Sequence, residues 1–365
     1  MQLRRLSISV SYNDKDITAD VSNDLIEFTY TDKEHGAADT VSLAFNDKKL
    51  RWQNDWFPDK AARLKISFGL VGRIMPAGTF QIDTFNLSGP PDVAKITGIA
   101  AGITKDVRTK KNVTHENKTL KQIAQTVADA HGFTISGEIA EINIKREKQN
   151  KETDLGFLKR LAEEYGYIFS LRDSVITFFD IFDLEDIEPV VTLDKTECAA
   201  YDFNNKITGT YGKGRIRHTK SNSKYAIEAN ADLGVLSNGQ QSSSADALEI
   251  HAQVEDELQG KFKVKAALHK HNKRLSECEI DTDGNPYLVA GNNVELTGFG
   301  EVSGTYHITE SRHRSNKQDG YNTSFTAHKV HIPKAGTKRP KKTVAKTVAP
   351  TRGYVPFYDF NSLNG

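Results

Sequence analysis

Cysteine is nearly missing from this chain. Cys198 and Cys278 are its only two, far apart and in no C-x-x-C pattern, which excludes a disulfide framework and a cysteine-based zinc site as organising principles. Long apolar runs are missing as well, and nothing approaches the ~20 residues that would span a bilayer. Nor is there an excess of one charge: 49 Lys and Arg face 48 Asp and Glu, a net +1, which excludes a strongly polyanion-seeking protein on global grounds. An apolar leader core is absent from the start. Met1-Gln2-Leu3-Arg4-Arg5-Leu6-Ser7-Ile8 alternates polar and apolar side chains and reads as a first strand, not a signal peptide; a secreted route is not expected.

What is present is a soluble, polar globular composition, with 37% hydrophobic and 27% charged residues and a mean hydropathy of -0.54. A length of 365 residues suggests two or three domains at roughly 100–200 residues each. The charge is unevenly spread. From Pro333 onward seven basic residues meet one acid, Asp359, for a net +6, leaving -5 on the preceding 332 residues. A mildly acidic body bears a basic tail.

The first hundred residues carry the alternation of half-buried antiparallel strands. Leu6, Ile8 and Val10 alternate, then Asn13 to Asp16 turns the chain. Ile17, Ala19 and Val21 alternate again, as do Ile26, Phe28 and Tyr30, then Val41, Leu43 and Phe45. Runs at Leu64-Ile66-Phe68-Leu70 and around Phe80-Ile82 follow, and short strands at this spacing point to a barrel or sandwich. The loop from Asp47 to Lys60, with Trp52, Trp56, Phe57 and Pro58, is expected to cap that core. Near Thr119 the period becomes helical: Leu120, Ile123, Val127 and Ala130, with Gly132 as terminator. A second helix is expected from Thr153 to Tyr165, capped by Thr153 or Asp154 and ended by Gly166, ahead of a hairpin over Arg172-Asp173-Ser174. The β pattern resumes from Ala199. A polar loop, 239–244, leads to a long helix expected from about Ala245 to Lys273, with Gly260 kinking or splitting it, and further strands follow.

Few residues suggest chemistry. Among eleven histidines, His269 and His271 diverge on a helix, and His328 and His331 form a poor pair; no H-E-x-x-H occurs. The reading is of solvated or interface histidines, with no metal, cofactor or catalytic residue expected. Asp281-Thr282-Asp283-Gly284-Asn285 opens like a calcium loop, but Pro286 and Asn292 stand where Gly and Glu would be needed, so a turn with Gly284 at positive φ is expected. Gly209, Gly212 and Gly214 lack the strand-loop-helix context of a phosphate cradle. Glu163-Glu164 and Asp256-Glu257 read as solvated surface. The tail, with Tyr354, Phe357, Tyr358 and Phe360 after its basic run, reads as an extended docking peptide.

Two stretches carry a resemblance. Glu152-Thr-Asp154-Leu-Gly-Phe157-Leu158-Lys-Arg160-Leu161-Ala162-Glu163-Glu164-Tyr165-Gly166-Tyr167-Ile168-Phe169 resembles the helix-into-hairpin segment of bacteriophage late control gene D proteins, the central hubs of contractile-tail baseplates, and the related hub region of type VI secretion spike proteins. Gly291 to Gly300, Ser303 to His313 and Gly320 to Phe325 are similar to the closing strands of the same family. The resemblance covers roughly residues 1–332. It implies an α+β, mostly β chain: a tube-like β-barrel over 1–111, an inserted α/β domain over 112–188 and a second tube-like barrel with a long helix over 189–332; the extended basic and aromatic tail, 333–365, lies outside the matched region and takes no role from it. It further implies a homotrimer of pseudo-sixfold symmetry joining the tail tube to a central spike, contacting baseplate wedge proteins. The central channel would pass tape-measure protein and then DNA, without specific DNA binding or membrane insertion. The place implied is the virion baseplate, assembled in the host cytoplasm. The hub of a phage-derived injection machine and a tail-associated cell-wall hydrolase are the alternatives.

Overall fold

The computed structural model describes residues 6–36, 38–59, 62–70, 73–100, 109–172, 174–206, 211–219, 226–232 and 247–330. The tail and its four aromatics therefore lie outside the described residues.

The chain is mostly β. Its first part contains β1 (Leu6–Tyr12), β2 (Lys15–Asp16), α1 (Thr18–Val21), β3 (Leu25–Lys33), β4 (Thr40–Asn46), β5 (Arg63–Leu70), β6 (Arg73–Ser88) and β7 (Val93–Ala100). Next come β8 (Lys110–Thr119), α2 (Leu120–His131), β9 (Thr134–Ser136), β10 (Asn143–Thr153), α3 (Asp154–Tyr165), β11 (Tyr167–Arg172), β12 (Val175–Asp180) and α4 (Ile181–Glu185). The last part holds β13 (Val191–Asp194), β14 (Cys198–Asn205), β15 (Lys213–Thr219), β16 (Ala226–Asp232), β17 (Ala247–Ile250), α5 (Glu257–Asn272), β18 (Ser276–Asp283), β19 (Asn293–Thr297), β20 (Gly304–Asn316) and β21 (Gly320–Lys329).

Most strands join one 13-stranded sheet running β14-β18-β21-β20-β3-β4-β7-β6-β5-β1-β2, with β19 on β20 and β13 on β19. The mostly β expectation holds, but the two barrels are not confirmed, because among the described residues neither half closes on itself. The free edge of β3 is spent on β20, from Glu310 opposite Lys33 to Asn316 opposite Glu27. That ladder welds the first part of the chain to the last, and Tyr321 of β21 packs within the first core.

Burial follows the alternation. Val41, Leu43 and Phe45 point inward from β4, and Leu64, Ile66 and Phe68 from β5, into a core with Phe28, Tyr30 and Phe80. Trp52 is buried against Phe45 with ring centroids 4.7 Å apart, and Trp56 meets Trp52 edge-on, so these loop aromatics do cap the core. Phe57 stays exposed. The alternation at Ile17 to Val21 does not make a strand. The Thr18 hydroxyl accepts from Val10 N at 2.9 Å, and the chain winds through one helical turn, a local side-chain bond outcompeting the ladder.

The middle part forms its own core around Leu120, Ile123, Phe157, Leu158, Leu161 and Phe178. Thr119 caps α2 in a reciprocal box with Gln122, and the Thr153 hydroxyl caps α3 at Gly156 N. Gly166 ends α3 at φ +81 and leads straight into β11, as the sequence predicts. The hairpin β11–β12 forms as expected. The long antiparallel pair β8–β10 was not read from the sequence, since its strands are lysine- and glutamate-rich and mostly exposed.

The long helix is shorter than expected. Residues 247–250 are a strand on β15, and α5 begins only at Glu257, with Asp256 capping Gln259 N. Gly260 does not split it. A Cβ there would lie 2.6 Å from the Ala229 Cβ, so glycine lets α5 lie directly on the small β16-β15-β17 sheet, over Ile216 and Ala229. The turn after Asp283 has a similar cause. Gly284 is not at positive φ as expected; a Cβ would overlap the Tyr321 ring.

Candidate functional site

The polar side chains that the cores exclude converge on one seam, where the end of β3, the middle unit, α5 and β19–β21 meet. At its upper end Arg172, closing β11, reaches back to β3. Its guanidinium bonds Asp32 through Nη2 and Asp39 through Nε at 2.8 Å. Both carboxylates are nearly inaccessible, and Asp32 also accepts from Ala290 N at 3.1 Å. Burial, tempered by Arg172 and reinforced by the Asp32 charge, pushes Asp39 up to about 7. One guanidinium thus holds three separate stretches together, with two buried acids competing for it.

Below this clamp lie the buried histidines. His307, near the start of β20, bonds Glu34 through Nε2 and Asn293 Oδ1 through Nδ1 at 2.6 Å. Burial alone would lower the His307 pKa and raise that of Glu34. The mutual charge overrides both, so His307 rises and Glu34 falls, the signature of an ion pair. Its neighbour, 5.5 Å away between ring centroids, is His328 of β21. His328 Nε2 and His269 Nε2 of α5 lie 2.7 and 2.6 Å from the same oxygen, Glu185 Oε1 at the end of α4. Burial would raise the Glu185 carboxyl, yet His269 and then His328 hold it well below the usual carboxylate range. Asn293 Nδ2 donates to the Leu184, Glu185 and Ile187 carbonyls and so fixes where α4 ends.

A third set ties α5 to α3. Gln259 Nε2 donates to the Tyr165 hydroxyl at 2.9 Å, Lys263 pairs with Glu164 at 3.4 Å, and Lys270 with Glu163 at 3.0 Å. His35, just after β3, bonds Glu163 with one ring nitrogen and accepts from Phe169 N with the other. A groove of about 1050 Å³ opens beside this seam, lined among others by Glu34, His269, His328, Lys206, Lys273 and Arg274.

Several readings of single residues change here. His307 and His328 are not solvated; with His313 they are almost fully buried. His271 points away, edge-on to Tyr211, so the divergence from His269 holds. Glu163 and Glu164 are cross-element anchors, whereas Glu257 is an exposed partner of Lys261. Gly214 sits inside β15, and a Cβ there would meet Val264 at 2.8 Å; it belongs to packing, not to a phosphate cradle. The docking residues Tyr354, Phe357, Tyr358 and Phe360 fall outside the described residues. Sequence reasoning missed Glu34, Glu185 and His307, and it set His269 and His328 aside as poor pairs with their neighbours; the five are scattered along the chain and carry no local motif.

The arrangement holds parts in fixed relation: nearly every buried polar group on it is spent on a partner from another element. The "Probable baseplate hub protein" of Escherichia phage 186 is 24% identical over 172 residues, 46% of this chain and 43% of that protein. The chain therefore aligns with under half the length of this relative. The 43 kDa tail protein of prophage MuSo2 from Shewanella oneidensis shares the fold at a TM-score of 0.63 and 14% identity, covering 89% of this chain and 99% of that one. An Escherichia coli component of the type VI secretion system, itself similar to T4 bacteriophage tail proteins, matches at a TM-score of 0.53 and 16% identity, over 90% of this chain and 77% of its own. Residues 100–319, more than half of the chain, match the family described as phage tail baseplate hub (GPD). By a match of that extent, this chain belongs to the phage tail baseplate hub family.

Proposed function

We propose that the chain is a non-catalytic structural hub of a contractile phage tail, working as a homotrimer that adapts a sixfold tail tube to a threefold central spike. The observation that carries this reading is the single sheet in which β3 pairs β20. It makes the first and last parts of the chain one rigid body, as a part that transmits force between tube and spike requires. Each chain would offer two β-rich halves to the ring, giving six quasi-equivalent positions from three copies. Tube-like halves at 1–111 and 189–332, with the unit 112–188 outside the ring, are the division this reading implies, and barrel closure would be completed by neighbouring copies.

Tail tube, spike, tape-measure and wedge proteins are the partners proposed, and the segment 333–365 would dock one of them through Tyr354, Phe357, Tyr358 and Phe360. The net negative body suits a channel through which DNA passes without sticking. A hub in a bacteriocin-like or type VI-like injection machine is the second reading, favoured by the shared fold with a type VI component. Electron cryomicroscopy of purified particles tests the proposal. Three copies at the end of the tube, between tube and spike, are expected; six copies, or a location on the outer wedges, would contradict it, as would turnover of peptidoglycan by the purified chain.

A further inference from the structure

We propose that Glu185, His269 and His328 form a binding site for one divalent transition-metal ion, Zn²⁺ by preference, that staples α4, α5 and β21 together. Three features carry this. The donor atoms converge: the Nε2 atoms of two histidines from different elements lie within 2.7 Å of one oxygen of a third, and all the ligand atoms of the group lie within 4.8 Å of one another. Two imidazoles and a carboxylate make a donor set suited to zinc, which takes His and Glu at about 2.0–2.2 Å in a tetrahedral arrangement. Access exists too, because His269 and His328 line the groove. Solvent can deliver the ion and supply the fourth ligand.

The rearrangement required is local. Tetrahedral bonds of about 2.0–2.1 Å place ligand atoms roughly 3.3 Å apart, so the Glu185 carboxylate has to retreat from each ring by about 0.6 Å, while the two Nε2 atoms, within 4.8 Å of each other, close by up to about 1.5 Å. Each neutral imidazole then binds through its Nε2 lone pair and carries its proton on Nδ1. In His328 that nitrogen is buried and has no hydrogen-bond partner among the described residues, so the proton can move there without breaking a bond those residues make. The three residues are held from behind. Asn293 fixes the backbone at Glu185, the His269 ring stands edge-on to Phe182 at 5.3 Å, and His328 lies between the rings of His269 and His307. Such support is what orients metal ligands. Lys206, Lys273 and Arg274 also line the groove, and they favour an ion with a bound hydroxide or anion as its outer ligand.

The test uses the untagged full chain, stripped with a chelator and titrated with ZnCl2 by calorimetry. One saturable equivalent per chain is expected, with an unfolding midpoint raised by several degrees. Binding should weaken roughly 10–100-fold or more in His269→Ala and remain unchanged in His271→Ala, whose ring faces Tyr211. Should His269→Ala fail to fold, Co²⁺ in the unaltered chain gives the second readout. A four- or five-coordinate visible spectrum with histidine ligation is expected. No saturable Zn²⁺ binding, binding untouched by a folded His269→Ala, or only the spectrum of aqueous Co²⁺ would overturn the proposal.

Discussion

Replacing Arg172 with Met should destabilise the chain by about 3–5 kcal/mol, because it leaves buried carboxylates without their cation. Asp32 and Asp39 are each about nine-tenths or more inaccessible, and Arg172 bonds both. The methionine can replace the aliphatic stem but not the charge. The loss should also depend on pH, with a definite sign. An acid whose folded pKa is raised contributes stability below its unfolded value and loses it as pH rises through the folded value. Asp39 already sits at about 7 with the guanidinium present, and removing that cation pushes it higher. Urea denaturation should therefore show the penalty growing from acidic to mildly alkaline solution, and Asp39→Asn in the Arg172→Met background should recover part of it. A loss under about 1 kcal/mol, or one independent of pH, would mean that the clamp is no more than a surface ion pair.

His313 should make the chain acid-sensitive in the opposite sense. Its ring is completely buried between Tyr30, Phe68 and Tyr321, and its Nδ1 lies 2.9 Å from the Tyr321 hydroxyl. Burial, only weakly opposed by a hydrogen bond to the Leu288 backbone, lowers its pKa to about 3. The unfolded chain binds a proton near 6.5 that the folded chain refuses, so this stability is present above about 6.5 and falls as pH drops toward 3. The slope is about 1.4 kcal/mol per pH unit, or roughly 2–3 kcal/mol over the first two units of acidification. Asp39 opposes it over much of that window, so the parent protein alone shows a blunted profile. The difference between the parent and His313→Gln cancels Asp39 and isolates the histidine. Chemical denaturation of both across this range should give curves that diverge by the stated slope. Parallel curves would show that the ring is charged or hydrated in the folded state.

The local architecture was largely legible in the sequence. Alternation over β1, β3, β4 and β5, helical spacing over α2 and α3, and Thr153 and Gly166 as the ends of α3 are properties of short stretches, and short stretches decide them. What was not legible depends on contacts between distant parts. The pairing of β3 with β20 decides that the halves share a sheet instead of closing separately, and no window containing Thr29 also contains Arg314. Nor could spacing along a helix or strand bring His269, His328 and Glu185 to one point; they meet only because α4, α5 and β21 do. The glycines illustrate the same division. Gly166 was readable as a cap from its neighbours, whereas Gly260 and Gly284 are explained by Ala229 and Tyr321, which are remote in the chain. The resemblance in 152–169 and 291–325 supplied the family, and the seam supplies a physical reason for a body that holds its shape.

The most direct measurement of the central claim is the solution mass of the purified chain, by light scattering after size exclusion, alone and with a candidate spike protein. The hub account predicts an assembly of three 40.6 kDa chains, present with the spike if not before. A chain that stays monomeric in both conditions, or that assembles only in twos or fours, would contradict it.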